Sequence, residues 1–237
     1  MDKVLKVDGV TAGYGNAQVI FKVNLEVASR SLVVIVGPNG SGKSTLIKSV
    51  VGFTTIHGGR ILFDGRDITG MPVEARVRLG LGYVPQVDNV FPNLTIEENL
   101  RMGGYLLGKK ELESSIDSVF KVFPFLEERR SQLAGTLSGG ERQMLALASC
   151  LITKPKMVLL DEPTAQLAPR VASRIFDKIV EIKKAGTPIL LVEQNARRAL
   201  EIADKAYVMV AGKIMFTGKG EEVLSRSDLG EIFLGRL

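Results

Sequence analysis

Nine consecutive residues, Gly37-Pro38-Asn39-Gly40-Ser41-Gly42-Lys43-Ser44-Thr45, fit the pattern G-x-x-x-x-G-K-[ST]. Glycines at these positions let successive backbone N–H groups face one anion with no Cβ in the way. A helix starting at the end of the run adds its own free N–H groups and the positive end of its dipole. The chemistry is phosphate binding. Lys43 is placed to reach the β- and γ-phosphates of a nucleoside triphosphate, and the Ser44 hydroxyl to ligate Mg²⁺. A second group fits the same reaction. Met157-Val158-Leu159-Leu160 is an apolar run ending in Asp161-Glu162. Asp161 would orient the metal, and Glu162 would act as the base on the attacking water. Carboxylates of this kind also occur as solvated strand ends, and only the loop at 37–45 favours the catalytic reading. The third group, Ser138-Gly139-Gly140-Glu141, has the composition of a capped helix N-terminus, which is a second phosphate-binding surface. Two such surfaces for one nucleotide suggest that they meet across a dimer.

The elements that must hold these groups are legible as alternating patterns. Residues 4–35 read as strands punctuated by Gly13, Gly15 and Asn16, and residues 32–37 as a buried parallel strand. A helix is predicted from Gly42 to Val51, then a hairpin turning at Asp64-Gly65, then a helix over 72–79 with Pro72 at its first position. From 92 to 154 the spacing becomes helical, with Thr95 and Glu98 forming a capping box. Strand–helix alternation resumes with strands at 156–160, 188–192, 206–210 and 213–217, helices at 169–184 and 196–202, and helices to the end. That order predicts a mostly parallel sheet with crossover helices.

Composition narrows the chemistry further. The chain has 237 residues, 45% hydrophobic and 24% charged, with a net charge of +5. This is globular and neither disordered nor fibrous. One cysteine, Cys150, and one histidine, His57, exclude an intrachain disulfide and a zinc site of paired cysteines and histidines, and make a Ser-His-Asp or Cys-His enzyme a poor fit. His57 reads as a loop residue and Cys150 as a packed small apolar group. The basic residues are scattered among acids, so no nucleic-acid partner is expected. No apolar run is long enough to span a membrane and no export segment is visible, which predicts a cytosolic chain.

Taken in order and over essentially the whole chain, these residues resemble the ATP-binding subunits of ABC transporters. Gly37–Thr45 resembles the Walker A loop, Leu137–Gln143 the signature motif and Leu159–Glu162 the Walker B segment. Gln86, after Val84-Pro85, is similar to the family's Q-loop glutamine, which contacts Mg²⁺ and the permease. Tyr14 is similar to the aromatic that stacks on adenine; the lesser alternative is a plain strand-end tyrosine. The resemblance implies a P-loop NTPase of the α/β class. Its parts are a RecA-like, mostly parallel core with an N-terminal antiparallel β subdomain (about 1–91 and 155–237) and a helical subdomain (about 92–154). It implies ATP and Mg²⁺ as cofactors and a head-to-tail partnership with a second ATPase subunit, identical or paralogous. It also implies two membrane permeases, an extracytoplasmic solute-binding protein acting indirectly, and a place on the cytoplasmic face of the membrane. Residues 64–72, 91–100 and 192–196 resemble the smaller ATPase of branched-chain amino acid importers; close relatives of that group serve urea or short amides. Gln194 stands where the family usually has its switch histidine, Ala168 where it has an aspartate, and Gln166 where a glycine is commoner. These departures bear on the rate of hydrolysis and not on ATP binding. The permease groove is expected between Gln86 and Tyr105, with Phe91, Leu94 and Met102 on it unless they pack the helical region. Two other readings stand beside the importer: a soluble ABC ATPase without a permease, and a nucleotide-gated clamp with negligible turnover.

Overall fold

A computed structural model describes residues 2–87 and 89–226. The chain opens with a long hairpin, β1 (Lys3–Tyr14) and β2 (Ala17–Ala28), antiparallel and turning at Gly15-Asn16. It continues through β3 (Leu32–Val36), α1 (Lys43–Val51), β4 (Thr55–Phe63), β5 (Arg66–Asp67), α2 (Val73–Arg78) and β6 (Leu81–Val84). Four helices follow: α3 (Ile96–Gly103), α4 (Lys109–Val122), α5 (Pro124–Glu127) and, after a 3₁₀ turn at Ala134–Thr136, α6 (Gly139–Leu151). The last third alternates: β7 (Met157–Asp161), α7 (Pro169–Lys184), β8 (Ile189–Val192), α8 (Ala196–Ile202), β9 (Lys205–Val210), β10 (Lys213–Gly218) and α9 (Gly220–Leu224). The helices expected beyond α9 fall in 227–237, outside the described residues.

The strands form two sheets. One is antiparallel, in the order β2-β1-β4-β5; the other runs β10-β9-β3-β8-β7-β6 and is parallel except for β10 against β9. Strand side chains alternate faces, and each face of the parallel sheet has its own core. Val33, Ile35, Leu159 and Leu190 face α1 and the antiparallel sheet. Val34, Val36, Val158, Leu160 and Leu191 face α6 and α7. Strands covered on both faces read as continuous apolar runs, which is why β3, β7 and β8 were legible. The registers align their C-terminal ends: Val192 pairs with Ile35 on one side and Asp161 on the other. Three strands therefore deliver their following loops to one edge, where parallel α/β sheets bind ligands.

Three local readings are corrected. His57, read as a loop residue, lies on β4, where it is exposed. The edge strand β6 was not anticipated, because Gly80 and Gly82 dilute its apolar pattern. Gly82 is required by packing: a Cβ there would lie 2.7 Å from Cys150 Sγ and 3.2 Å from Pro155 Cβ. Burial in the same place pushes the Cys150 thiol up to about 12, in keeping with its reading as a packed apolar group. Pro72, expected at the first position of α2, instead caps it in an extended conformation. The capping box at Thr95 and Glu98 is present.

Candidate functional site

Residues 37–42 carry the chain from the end of β3 into α1. The turn is built on glycine where nothing else fits. Gly42 has φ +100°, and a Cβ on it would lie 2.9 Å from Ile20 Cγ2; a Cβ on Gly37 would lie 2.0 Å from the Met209 carbonyl oxygen. The loop is thus wedged between β2 and β9. No side chain caps α1, and its first turn holds no acid, so its leading N–H groups remain available to an anion. Lys43 bends back under the loop and is only 4% exposed. Its Nζ donates to the carbonyls of Gly37 (3.0 Å) and Pro38 (3.1 Å) and lies 3.8 Å from Glu162 Oε1. Burial lowers its pKa, opposed by Glu162, Asp161 and Glu193.

Asp161, the last residue of β7, is 2% exposed. Its Oδ1 accepts a hydrogen bond from Ser44 Oγ at 2.9 Å, and its Oδ2 faces the Tyr83 hydroxyl at 3.5 Å. Burial raises its pKa against the pull of Ser44 and Lys48. Glu162 follows in the left-handed region, φ +46°, with its N–H bonded to the Val192 carbonyl at 2.9 Å. That backbone turn brings its carboxylate back to the loop, where Oε2 accepts from Gln86 Nε2 at 3.2 Å. Burial raises its pKa and Lys43 opposes the rise. Lys43, Ser44, Gln86, Asp161 and Glu162 therefore meet. A cavity of about 180 Å³ opens beside them, lined by Val19, Asn39, Gly40, Gly42, Lys43, Ser44, Thr45 and Glu162.

Other sequence-predicted residues stand apart. Tyr14 ends β1 and is 48% exposed. Ser138 caps α6 in a reciprocal capping box with Glu141, which also pairs with Arg129 at 2.7 Å. Among the described residues, none of Ser138, Gly139, Gly140 and Glu141 hydrogen-bonds to the loop at 37–45. Gly140 is fixed by packing against α7: a Cβ would lie 2.1 Å from Val171 Cγ1. Gln194 is exposed just past β8 and lines a separate cavity with Gln166 and Asn195. Phe91, Met102 and Tyr105 are exposed and line an apolar groove with Phe53, whereas Leu94 is half-buried and does not line it. Two residues near the site were missed. Tyr83 lies on the unanticipated strand β6. Glu193, inside the segment 192–196, is a buried acid to which the sequence reading gives no role; its local signal is a charge directly after an apolar strand.

Comparison with known proteins agrees with this geometry. Residues 20–165 match the model of the family described as ABC transporter. The chain is 45% identical, over 98% of its length and 99% of the relative's, to a probable branched-chain amino acid transport ATP-binding protein, LivF, of Archaeoglobus fulgidus. It is 40% identical, over 98% and 100%, to the high-affinity branched-chain amino acid transport ATP-binding protein BraG of Pseudomonas aeruginosa. The crystal structure of the ADP conformation of MJ1267, an ATP-binding cassette of an ABC transporter, superposes with a TM-score of 0.87 at 30% identity, covering 99% of this chain and 100% of that one. Phosphate-loop geometry, sheet order and full-length likeness converge on one conclusion: the chain belongs to the ABC transporter family, as an ATP-binding subunit that hydrolyses ATP.

Proposed function

We propose that this ATPase powers the uptake of branched-chain amino acids from the cytoplasmic face of a membrane. The observation that carries its chemistry is the meeting of Lys43, Ser44, Asp161 and Glu162 within 2.9–3.8 Å contacts at the end of the parallel sheet. The solute follows the two relatives named above.

In this reading the ATP phosphates lie on the N–H groups of residues 37–45. Lys43 exchanges its two carbonyl partners for β- and γ-phosphate oxygens, and Tyr14 stacks on the adenine. Ser44 and Asp161 are hard oxygen donors already 2.9 Å apart, and with the Gln86 carbonyl they fit Mg²⁺. When bound, that ion neutralises phosphate charge. Glu162 accepts the proton of the water whose oxygen bonds to the γ-phosphorus as the bond to the ADP oxygen breaks. Its raised pKa favours proton acceptance in a site near neutral pH. Gln194 positions that water or senses the γ-phosphate.

The α6 N-terminus, Ser138 to Glu141, is out of hydrogen-bonding reach of its own loop, which supports its use on the nucleotide of a second ATPase subunit in a head-to-tail dimer. We assign residues of about 92–154 to a helical subdomain. A permease helix docks in the groove of Phe53, Tyr83, Phe91, Met102 and Tyr105, about 320 Å³ in volume and beside Gln86. Two permeases and a solute-binding protein complete the importer. No helix among the described residues is long and apolar enough to cross a membrane, so membrane attachment would rest on these permeases. The test is ATP-dependent uptake of labelled leucine, isoleucine and valine by proteoliposomes holding the chain with its permeases. ATP hydrolysis coupled to a different solute would overturn the amino acid assignment and keep the transport one.

A further inference from the structure

Glu193 is 1% exposed and has no ion-pair partner within 4 Å among the described residues. Its carboxylate is nevertheless fully engaged. Oε1 accepts from Thr164 N–H at 3.1 Å and from Thr164 Oγ at 2.8 Å. Oε2 accepts from the N–H groups of Gln194 at 3.1 Å and Asn195 at 3.3 Å. Three of the four partners are backbone N–H groups and the fourth is a hydroxyl, a set that suits a carboxylate accepting on both oxygens and opposes the rise that burial imposes on its pKa.

The two segments it joins end neighbouring strands. Thr164 lies two residues beyond Glu162, in the turn after β7 that also contains Gln166 at φ +60°. Gln194 and Asn195 form the turn after β8. Non-glycine residues held at positive φ, here Glu162 and Gln166, persist only where the surroundings fix them. The Thr164 bonds supply one such tie, and the Glu162 N–H bond to Val192 supplies another.

We propose that Glu193 is a positioning residue for ATP hydrolysis: one buried carboxylate locks the turn carrying Gln194 to the turn following Glu162, so that the two groups address the γ-phosphate as a unit. This rests on the assignment of Gln194 and Glu162 above. Glu193 makes no hydrogen bond to residues 37–45 and reaches Lys43 only through its charge, the last of the three carboxylates that act on that lysine, so its larger effect falls on turnover and not on nucleotide affinity.

Glu193→Gln is the direct test. The carboxamide keeps the size but turns an NH₂ toward donors on one side, releasing either Thr164 or the 194–195 turn. With the full chain, kcat should fall about tenfold or more, toward the roughly hundredfold loss that a shift of about an ångström can cause. ATP affinity measured by equilibrium binding should stay within about twofold, a change too small to signal a lost contact. Thr164→Ala, which removes only the 2.8 Å bond, should act in the same direction and serves if Glu193→Gln does not fold. Gln194→Ala combined with Glu193→Gln should be no slower than the slower single variant, because the two act together. If Gln194→Ala is slow while folded Glu193→Gln or Thr164→Ala turns over at the parental rate, Glu193 is a structural acid and the inference is overturned, with the functional reading intact. Multiplying defects in the double variant would overturn the coupling. Parental turnover in Gln194→Ala would overturn the reading on which the inference stands.

Discussion

Lys43 is held by two backbone carbonyls and a carboxylate in a place almost without solvent, which makes it a cation waiting for a stronger anion. Replacing it with alanine removes a charge-assisted contact to phosphate of about 1.5–3 kcal/mol. We expect Lys43→Ala to bind ATP at least about tenfold more weakly, at 1.4 kcal/mol per decade, and to lose turnover. The loss has a second origin. Lys43 is the charge that opposes the burial-driven rise of the Glu162 pKa, so without it the base is protonated over a wider pH range. Binding and steady-state hydrolysis measured side by side decide the matter; parental hydrolysis would remove the loop from the active site. At this scale, what was legible was what is contiguous. Gly37 to Thr45 and Asp161-Glu162 announce their chemistry because one backbone turn needs all their residue types together. Tyr83 acts through a partner 78 residues away and Glu193 joins its own turn to one 29 residues away, and spacing along the chain carries no trace of such contacts.

Among the elements, α1 joins the phosphate loop to a buried cation. Its N-terminus opens on the phosphate loop; its C-terminus meets the buried guanidinium of Arg76, from α2. Arg76 donates to the carbonyls of Ser49 and Val50 at 2.8 Å each, of Met71 at 2.9 Å and of Thr69 at 3.0 Å. Those acceptors include the last turn of the helix, where its dipole is negative and a cation is favoured. Arg76→Met leaves buried carbonyls without donors, and we expect a loss of about 1.5–3 kcal/mol. A lower urea midpoint at unchanged slope would report it; an unshifted midpoint would mean that water replaces the guanidinium without penalty. Element type was legible where burial is two-sided, as in β3, or where a cap is local, as at Thr95. It failed at β6, whose glycines answer to Cys150 and Pro155 on other elements and not to strand propensity.

For the whole molecule, the N-terminus of α6 has a capping acid, an ion pair to Arg129 and no bond to its own phosphate loop. If it serves the nucleotide of a partner, blocking hydrolysis should trap the pair. We expect Glu162→Gln with ATP to elute as a dimer in size-exclusion chromatography, with the paralogous subunit included if the working pair is mixed. A strictly monomeric protein under both conditions would count against the shared site. The apolar groove makes a separate forecast. Phe91 is 53% exposed, and it contributes little to the core. Phe91→Glu should therefore leave the melting temperature and ATP binding near parental and abolish coupled uptake in proteoliposomes, since a charge would be buried under the docked helix. Equal loss of folding would mean that the ring packs the helices instead.

The alignment of Ile35, Val192 and Asp161 in one row across three strands carries a consequence for how such a chain can change. A strand has two faces, and one inserted residue in β3, β7 or β8 would turn every side chain beyond it to the wrong face and move a loop past its neighbours. These strands admit no change of length. The segment from α3 to α6 enters and leaves between β6 and β7 without crossing that row. Its part from α3 to α5 can change length while the phosphate end keeps its registration, whereas α6 is tied to the sheet and to α7 by its packing. The architecture thus separates what must be kept in register from what can be retailored.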